Sequence, residues 1–355
     1  MRWRWSSRSP VMAGLEPAIR SGPRGAVLAR SCADDRLKAG HDGSGRSAPG
    51  IGRRAPLIGL GMLLLAVSAR AAVLHVGAGH RFGLPSQAIA AAHPGDTVAI
   101  DPGTYRDCAV VRAARLTILG TKPGVVMGGV SCDGKGVLVI DAPGVTVRNL
   151  TLRGAAVADG NGAGIRAEGG DLTVVDLRLI DDQNGILDTS GPAAVLRVTG
   201  SLFRHDGTCI SAGGCSHGLY AGPIARLVVT HSRFLDIRSG HGIKSRAAAT
   251  VVRGCTIADG QQGTSSYLID VPNGGNVRIT GNRLEKGPLT QNPGTAIAIG
   301  EEGVTHPTRR ILVQGNVFRN DIGLGTVFVR NETRARAVLR DNRFQGGPVV
   351  ALVGR

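Results

Sequence analysis

The sequence predicts an all-β fold, a single-stranded parallel β-helix (a solenoid) entered through a short capping helix. Three observations carry the prediction: an eightfold six-residue repeat, a slot within it that reads like a stacked ladder, and a second short strand after most copies. The repeat runs Val147–Leu152, Val174–Leu179, Val198–Phe203, Val229–Phe234, Val252–Ile257, Ile279–Leu284, Val313–Phe318 and Leu339–Phe344. Successive copies begin 27, 24, 31, 23, 27, 34 and 26 residues apart. A period in the twenties, with β-branched strands and Gly/Asn turns, marks a solenoid in which each coil buries its apolar face against the next. Position one is always Val, Ile or Leu, and position six is always Leu, Ile or Phe. Position four reads Leu150, Leu177, Ser201, Ser232, Cys255, Asn282, Asn316, Asn342, as expected of an interior corner.

The chain of 355 residues is not uniform. Residues 1–52 form a basic segment without apolar periodicity, read as a disordered leader or an over-extended gene start with translation beginning nearer Met62. Residues 53–71 follow as Arg53-Arg54-Ala-Pro, the apolar run Leu57–Val67 and the small-residue stretch Ser68-Ala69-Arg70-Ala71. This order is that of a secretory signal peptide, and the run is shorter than the ~20 residues of a spanning helix. The expectation is a mature chain over 72–355, secreted or periplasmic, with no stable membrane span.

The formal charge is +16, and removing residues 1–71 takes away 12 basic and 4 acidic residues, which leaves +8. A chain still basic after export suits a polyanion such as a uronate polysaccharide. Nucleic acid is not the expected partner, because aromatics are 3% of the chain and do not interleave with basic residues. Cys209 and Cys215 bracket a flexible loop suited to a small disulfide. Cys108 and Cys132, about one coil apart, could bond across neighbouring turns. Cys255 occupies the ladder slot and reads as a buried thiol. No cysteine spacing resembles a zinc site.

The coils follow in order. Residues 80–92 predict an amphipathic helix with Leu84, Ala88 and Ile89 on one face, followed by Pro94-Gly-Asp-Thr-Val-Ala-Ile-Asp-Pro-Gly-Thr-Tyr105. A cap is needed there because the first coil would otherwise leave a sheet edge and the core open. The helix and this segment resemble the entry of the right-handed parallel β-helix proteins of the pectate-lyase-like superfamily. The resemblance covers about residues 74–347 and implies a right-handed helix.

After the hexamers come strands that place Ile165, Ile186, Leu219, Ile243, Leu268 and Ile297 inward. Period-two alternation then sends Arg166, Leu187, Tyr220, Lys244, Ile269 and Ala298 outward. The preceding row (Gly164, Gly185, Gly218, Gly242, Tyr267, Ala296) is mostly glycine and predicts a shallow trough across the strands. Residues 215–222, 239–246 and 264–275 are the densest polar stretches and fall on consecutive coils, whose equivalent positions lie about 4.8 Å apart.

Cleavage of a uronate polymer by β-elimination needs a base for the C5 proton, a cation for the carboxylate and an acid for the leaving oxygen. Lys244, Tyr220, His241 or His217 could be the base, with Arg246 neutralising the carboxylate and depressing the lysine pKa. Tyr220 or Tyr267 could be the acid, and Tyr267, Asp270 and Asn273 are expected to contact substrate. Ca²⁺ is a candidate cofactor, since Asp270, Glu301 and Glu302 offer oxygens on adjacent coils. In the plainer reading, Lys244 and Arg246 are solvated face residues, and the two His-Gly pairs are a stacked turn device bonded to backbone.

Ile243-Lys244-Ser245 resembles the catalytic strand of β-helical alginate and chondroitin-type lyases, where the lysine is the base. The arginine acid of their next coil has no counterpart in Tyr267-Leu-Ile-Asp270. Gly240-His241-Gly242 and the pair Asp181-Asp182 resemble elements of polygalacturonase-type hydrolases, whose further aspartate and Arg-Ile-Lys are missing. Asp181-Asp182 is otherwise a solvated turn. The nearest likeness is to uncharacterised secreted bacterial β-helix proteins that share Gly240–Arg246 and Ser265–Gly275. The alternatives to a lyase are a non-catalytic glycan-binding or structural module and a polygalacturonase-like hydrolase.

Overall fold

The computed structural model describes residues 70–210 and 214–355. The chain separates into units 1–69 and 70–355. The basic leader and nearly all of the signal sequence therefore lie outside the described residues. No helix among the described residues is long and apolar enough to cross a membrane.

The predicted all-β parallel solenoid is present, with about ten turns. Its coils feed three parallel sheets. The first sheet has eleven strands, from Val73–Val76 to Ala337–Arg340. The second has ten, from Gly103–Tyr105 to Arg343–Gly346, and the third has ten, from Ala109–Val111 to Val349–Gly354. A small antiparallel hairpin pairs Cys209–Ile210 with Gly214–Cys215.

The hexamer is the corner between the first two sheets. Its position-one residues stack in register as Val147, Val174, Val198, Val229, Val252, Ile279, Val313 and Leu339. Its position-six residues stack as Leu152, Leu179, Phe203, Phe234, Ile257, Leu284, Phe318 and Phe344. Phe203 and Phe234 lie face to face with ring centroids 4.2 Å apart. Between these stacks the chain must turn sharply, and position three does so in the left-handed conformation in every copy: Asn149, Asp176, Gly200, His231, Gly254, Gly281, Gly315, Asp341. Only Gly, Asn, Asp and His occupy it, the residues that tolerate positive φ.

Position four is the ladder that the sequence predicts. Asn282 accepts the Cys255 N–H at 2.8 Å, Asn316 accepts the Asn282 N–H at 2.9 Å, and Asn342 accepts the Asn316 N–H at 3.0 Å. Each amide NH₂ also donates to a carbonyl of the preceding coil: Val252, Ile279 and Val313. Ser201 and Ser232 continue the rungs by accepting from Leu177 and Ser201. Cys255 is a buried thiol, pushed up to about 11 mainly by burial.

The cap is a helix over Pro85–Ala91. Pro85, Ala88 and Ile89 face the core, whereas Leu84, expected on that face, is exposed because it sits at the N-cap. Asp107 holds the helix start by accepting the Ser86 N–H at 2.8 Å. Both expected disulfides form, Cys108–Cys132 and Cys209–Cys215.

Asn316→Ala should cost about 2 kcal/mol or more, because it leaves buried donors on Asn282 and an acceptor on Ile279 unpaired. Denaturant unfolding checks this, and a change within about 0.5 kcal/mol would mean that the rungs do not hold the coils.

Candidate functional site

The third sheet carries the polar cluster, and its register corrects the sequence reading at one coil. Ile243 pairs with Ile269, so Asp270, not Ile269, lies outward beside Lys244. The outward row is Arg166, Leu187, Tyr220, Lys244, Asp270, Ala298, Arg330. Tyr267-Leu-Ile is apolar throughout, so alternation alone could not choose between registers one residue apart.

The glycine trough is not formed. A Cβ on Gly185 would stand 2.6 Å from the Phe203 ring, and one on Gly242 would stand 2.9 Å from Ile257. These glycines face the interior and let the chain enter the third sheet tightly against the aromatic stack.

A second ladder lies at that entry. Asn184 Oδ1 accepts the His217 N–H at 2.9 Å, His217 Nδ1 accepts the His241 N–H at 3.0 Å, and His241 Nδ1 accepts the Tyr267 N–H at 3.1 Å. The rings stack as well: His217 on His241 at 4.8 Å, and His241 on Tyr267 at 5.1 Å. A nitrogen that accepts a backbone N–H cannot hold a proton, so each imidazole is neutral with its hydrogen on Nε2. Burial holds both rings well below the ordinary histidine range, assisted at each by the charges of Lys244 and Arg246. His217 and His241 are therefore positioning residues. The general-base role expected of them is not available, because the free nitrogen already carries its proton.

Outward of this ladder stands a charged network. Lys244 Nζ donates to Glu302 Oε1 at 2.7 Å and lies 3.8 Å from Asp270. Arg246 Nη2 meets the other Glu302 oxygen at 2.5 Å. The Arg246 Nε donates to the Tyr220 hydroxyl at 2.9 Å and its Nη1 to Asn273 Oδ1 at 2.6 Å. The Arg246 backbone is held by His306, whose Nε2 lies 2.9 Å from its carbonyl oxygen. Lys244 is only 6% exposed and is thus no solvated surface lysine. Its Nζ is held by a carboxylate, which suits it to neutralising charge.

The carboxyls are pushed in opposite directions. Burial drives Asp270 well above the carboxylate range, reinforced by the hydrogen bond and charge of Glu301. Burial also works to raise Glu302, but the hydrogen bonds and charges of Lys244 and Arg246 override it and leave Glu302 below the usual range. Tyr267 is raised, mainly by burial. Asp270, Glu301 and Glu302 each offer an oxygen within 4.8 Å of the others, the donor set a Ca²⁺ ion would take. Both Glu302 oxygens are already paired, so such an ion would compete with Lys244 and Arg246 for them.

The structure thus brings together Tyr220, Lys244, Arg246, Asp270, Asn273, His217, His241 and Tyr267. Glu302 and His306 complete the network, and sequence reasoning gave neither this role: they lie 58 and 60 residues from Lys244 and Arg246, in a turn without a motif. Asp181-Asp182 lies apart from this network. Asp181 is paired with Arg153 and Arg238. Asp182, expected to be solvated, is 2% exposed, accepts the Ala155 N–H, and is pushed to about 8, chiefly by burial. A Cβ on Gly164 would stand 2.7 Å from its free oxygen, which therefore faces the interior and not a substrate.

The sequence matches no family model and no curated protein. Solved structures resemble it in fold. One is a Geobacillus virus E2 protein, ORF18, with a TM-score of 0.48 and 13% identity over 76% of this chain, which spans 58% of the viral one. A second is a pectin methylesterase from Yersinia enterocolitica, with a TM-score of 0.36 and 11% identity over 76% of this chain and 94% of the enzyme. A third is the catalytic unit of a GH87 α-1,3-glucanase from Streptomyces thermodiastaticus, with a TM-score of 0.36 and 15% identity over 76% of this chain and 66% of that one. These neighbours include carbohydrate-active β-helix enzymes. The likeness is one of fold, and the chemistry of this chain is argued from its own residues.

Two pH effects follow. The depressed histidines contribute stability that is fully present above their unfolded value of about 6.5 and is lost as pH falls below it. Nitrogen NMR of the rings should show both as Nε2–H tautomers at pH 6, and an imidazolium signal there would refute the ladder. The raised Asp182 acts oppositely. It is protonated when folded and ionised when unfolded between about 4 and 8, so stability falls as pH rises through that window. Asp182→Asn should make that fall shallower by up to about 1.4 kcal/mol per pH unit.

Proposed function

We propose that the chain binds an acidic polysaccharide across the third sheet and cleaves it by β-elimination. One observation supports this above the others. Lys244 and Arg246 together grip a carboxylate, that of Glu302, with one cation on each oxygen. A uronate carboxylate has the same shape and charge, and at this position it would have its developing enolate charge neutralised by the same two cations.

The remaining groups fit the rest of the reaction. A substrate carboxylate that takes Lys244 and Arg246 from Glu302 removes the partners that depress it, and Glu302 becomes a stronger base beside the bound sugar. Glu302 takes the C5 proton, the C5–H electrons form the C4–C5 double bond, and the C4–O bond breaks. The Tyr220 oxygen accepts from Arg246 and keeps its own hydrogen, which passes to the leaving oxygen. Asn273 holds Arg246 in place. The two disulfides accord with a secreted or periplasmic site of action.

A hydrolase reading draws on the opposite shifts of Asp270 and Glu302, a pattern typical of acid/base pairs. Asp270 is fully buried, however, and a general acid must reach the glycosidic oxygen.

Incubation of the mature protein with a panel of uronate polymers, read by ultraviolet absorbance, should reveal an unsaturated product. Tyr220→Phe should lower kcat by about 10²-fold or more with binding retained. Lys244→Ala should lose both turnover and polymer binding, with thermal stability as the control for folding. Reducing ends without absorbance would favour hydrolysis, and binding without either product would make the chain a glycan-binding module.

A further inference from the structure

Among the described residues, the arrangement that grips Glu302 recurs on the same face. Three strands earlier in the third sheet, Glu168 accepts from Lys135 Nζ at 2.7 Å and from Arg166 Nε at 3.1 Å, again one cation on each oxygen. Arg166 stands in the same outward row as Lys244, joined to it through Leu187 and Tyr220 by strand register. The three side chains are neither buried nor free: Lys135 is 38%, Glu168 23% and Arg166 20% exposed. Lys135 lies just before the strand Gly136–Ile140 and Glu168 just beyond Ala163–Ala167, so the lysine side chain reaches along the outward face.

We propose that Lys135 and Arg166 form a second carboxylate-binding station for the same polymer, about 14 Å from Lys244 and Arg246 across three strand spacings. The inference rests on reading Lys244 and Arg246 as a uronate clamp. Between the stations the outward row holds the buried Leu187 and the half-buried Tyr220 ring, and the tyrosine offers its ring to the C–H faces of a sugar. In each station a glutamate of the chain occupies the ligand's place and satisfies the cations until a polymer carboxylate displaces it. A partly solvated internal ion pair of this kind is worth little to stability, so exchanging it for a substrate carboxylate costs little. Two linked stations favour a ligand long enough to engage both, since the second contact becomes intramolecular. The site is thus selective for an unesterified acidic polymer over short oligomers and over neutral glycans.

The test compares binding of long polyuronate and of oligouronates too short to span about 14 Å, measured by calorimetry on wild type, Lys135→Ala/Arg166→Ala and Glu168→Gln. Melting temperature serves as the folding control. The double variant should lose about tenfold or more in affinity for the long polymer and keep its short-oligomer affinity. Glu168→Gln, which removes the internal competitor's charge, should bind the long polymer more tightly. Unchanged long-polymer affinity in the double variant, with binding still lost in Lys244→Ala, would overturn the second station alone. Absence of any polyuronate binding by wild type would overturn both stations together.

Discussion

The outward row around Tyr220, Lys244 and Asp270 depends on the hydrogen bonds that side chains make at the corners. A parallel coil stacked on another could slip by one residue and keep most of its backbone pairing, yet such a slip would reverse which side chains face out. The corner residues forbid it. Asn282, Asn316 and Asn342 at one corner, and Asn184, His217 and His241 at another, each accept a backbone N–H from a neighbouring coil. In a buried corner that donor has no water to turn to, so a slipped register would strand it. Tyr220, Lys244 and Asp270 line up on consecutive strands for this reason.

The histidine ladder also ties structure to chemistry. The same bonds that fix register fix the tautomer, which turns two residues of catalytic type into neutral supports. The Nε2 of His241 points toward the carboxyl cluster, 3.3 Å from Asp270. Beneath them Lys286 is fully buried and donates to the Ser266 carbonyl, and burial lowers it to about 8. The site is thus underlain by ionisable groups that are costly to bury and held by specific bonds, while the exposed members of the network, Glu302 foremost, remain exchangeable.

A solenoid suits a polymer because its repeat presents similar positions at regular intervals. Here the intervals are not filled alike. Cation pairs held by internal glutamates occur at Lys135–Arg166 and at Lys244–Arg246, with apolar and aromatic residues between. A linear polyanion can read such a pattern, and the net positive charge of the coils favours its approach.

By itself the sequence determined the fold, because the hexamer repeats its core positions, its left-handed turn and its corner slot in every copy. It also determined the cap and the neighbourhood of Tyr220, Lys244 and Arg246, since these follow from local pattern and coil adjacency, whereas it left the pairing of the four cysteines to the structure. Only the tertiary structure decided four further matters. Tyr267-Leu-Ile-Asp270 reads equally well in two registers, and the bond from the Tyr267 N–H to His241 selects one. The glycine row looked like a trough, but the close approach of Phe203 and Ile257 turns it inward. Glu302 lies far along the chain in a Gly-Glu-Glu-Gly turn that the sequence marks only as an oxygen donor for Ca²⁺, and Asp182 is buried although its sequence neighbours are polar. Periodicity fixes what repeats from coil to coil. What one coil does to another through a single long side chain does not repeat, so it becomes legible only when the coils are stacked.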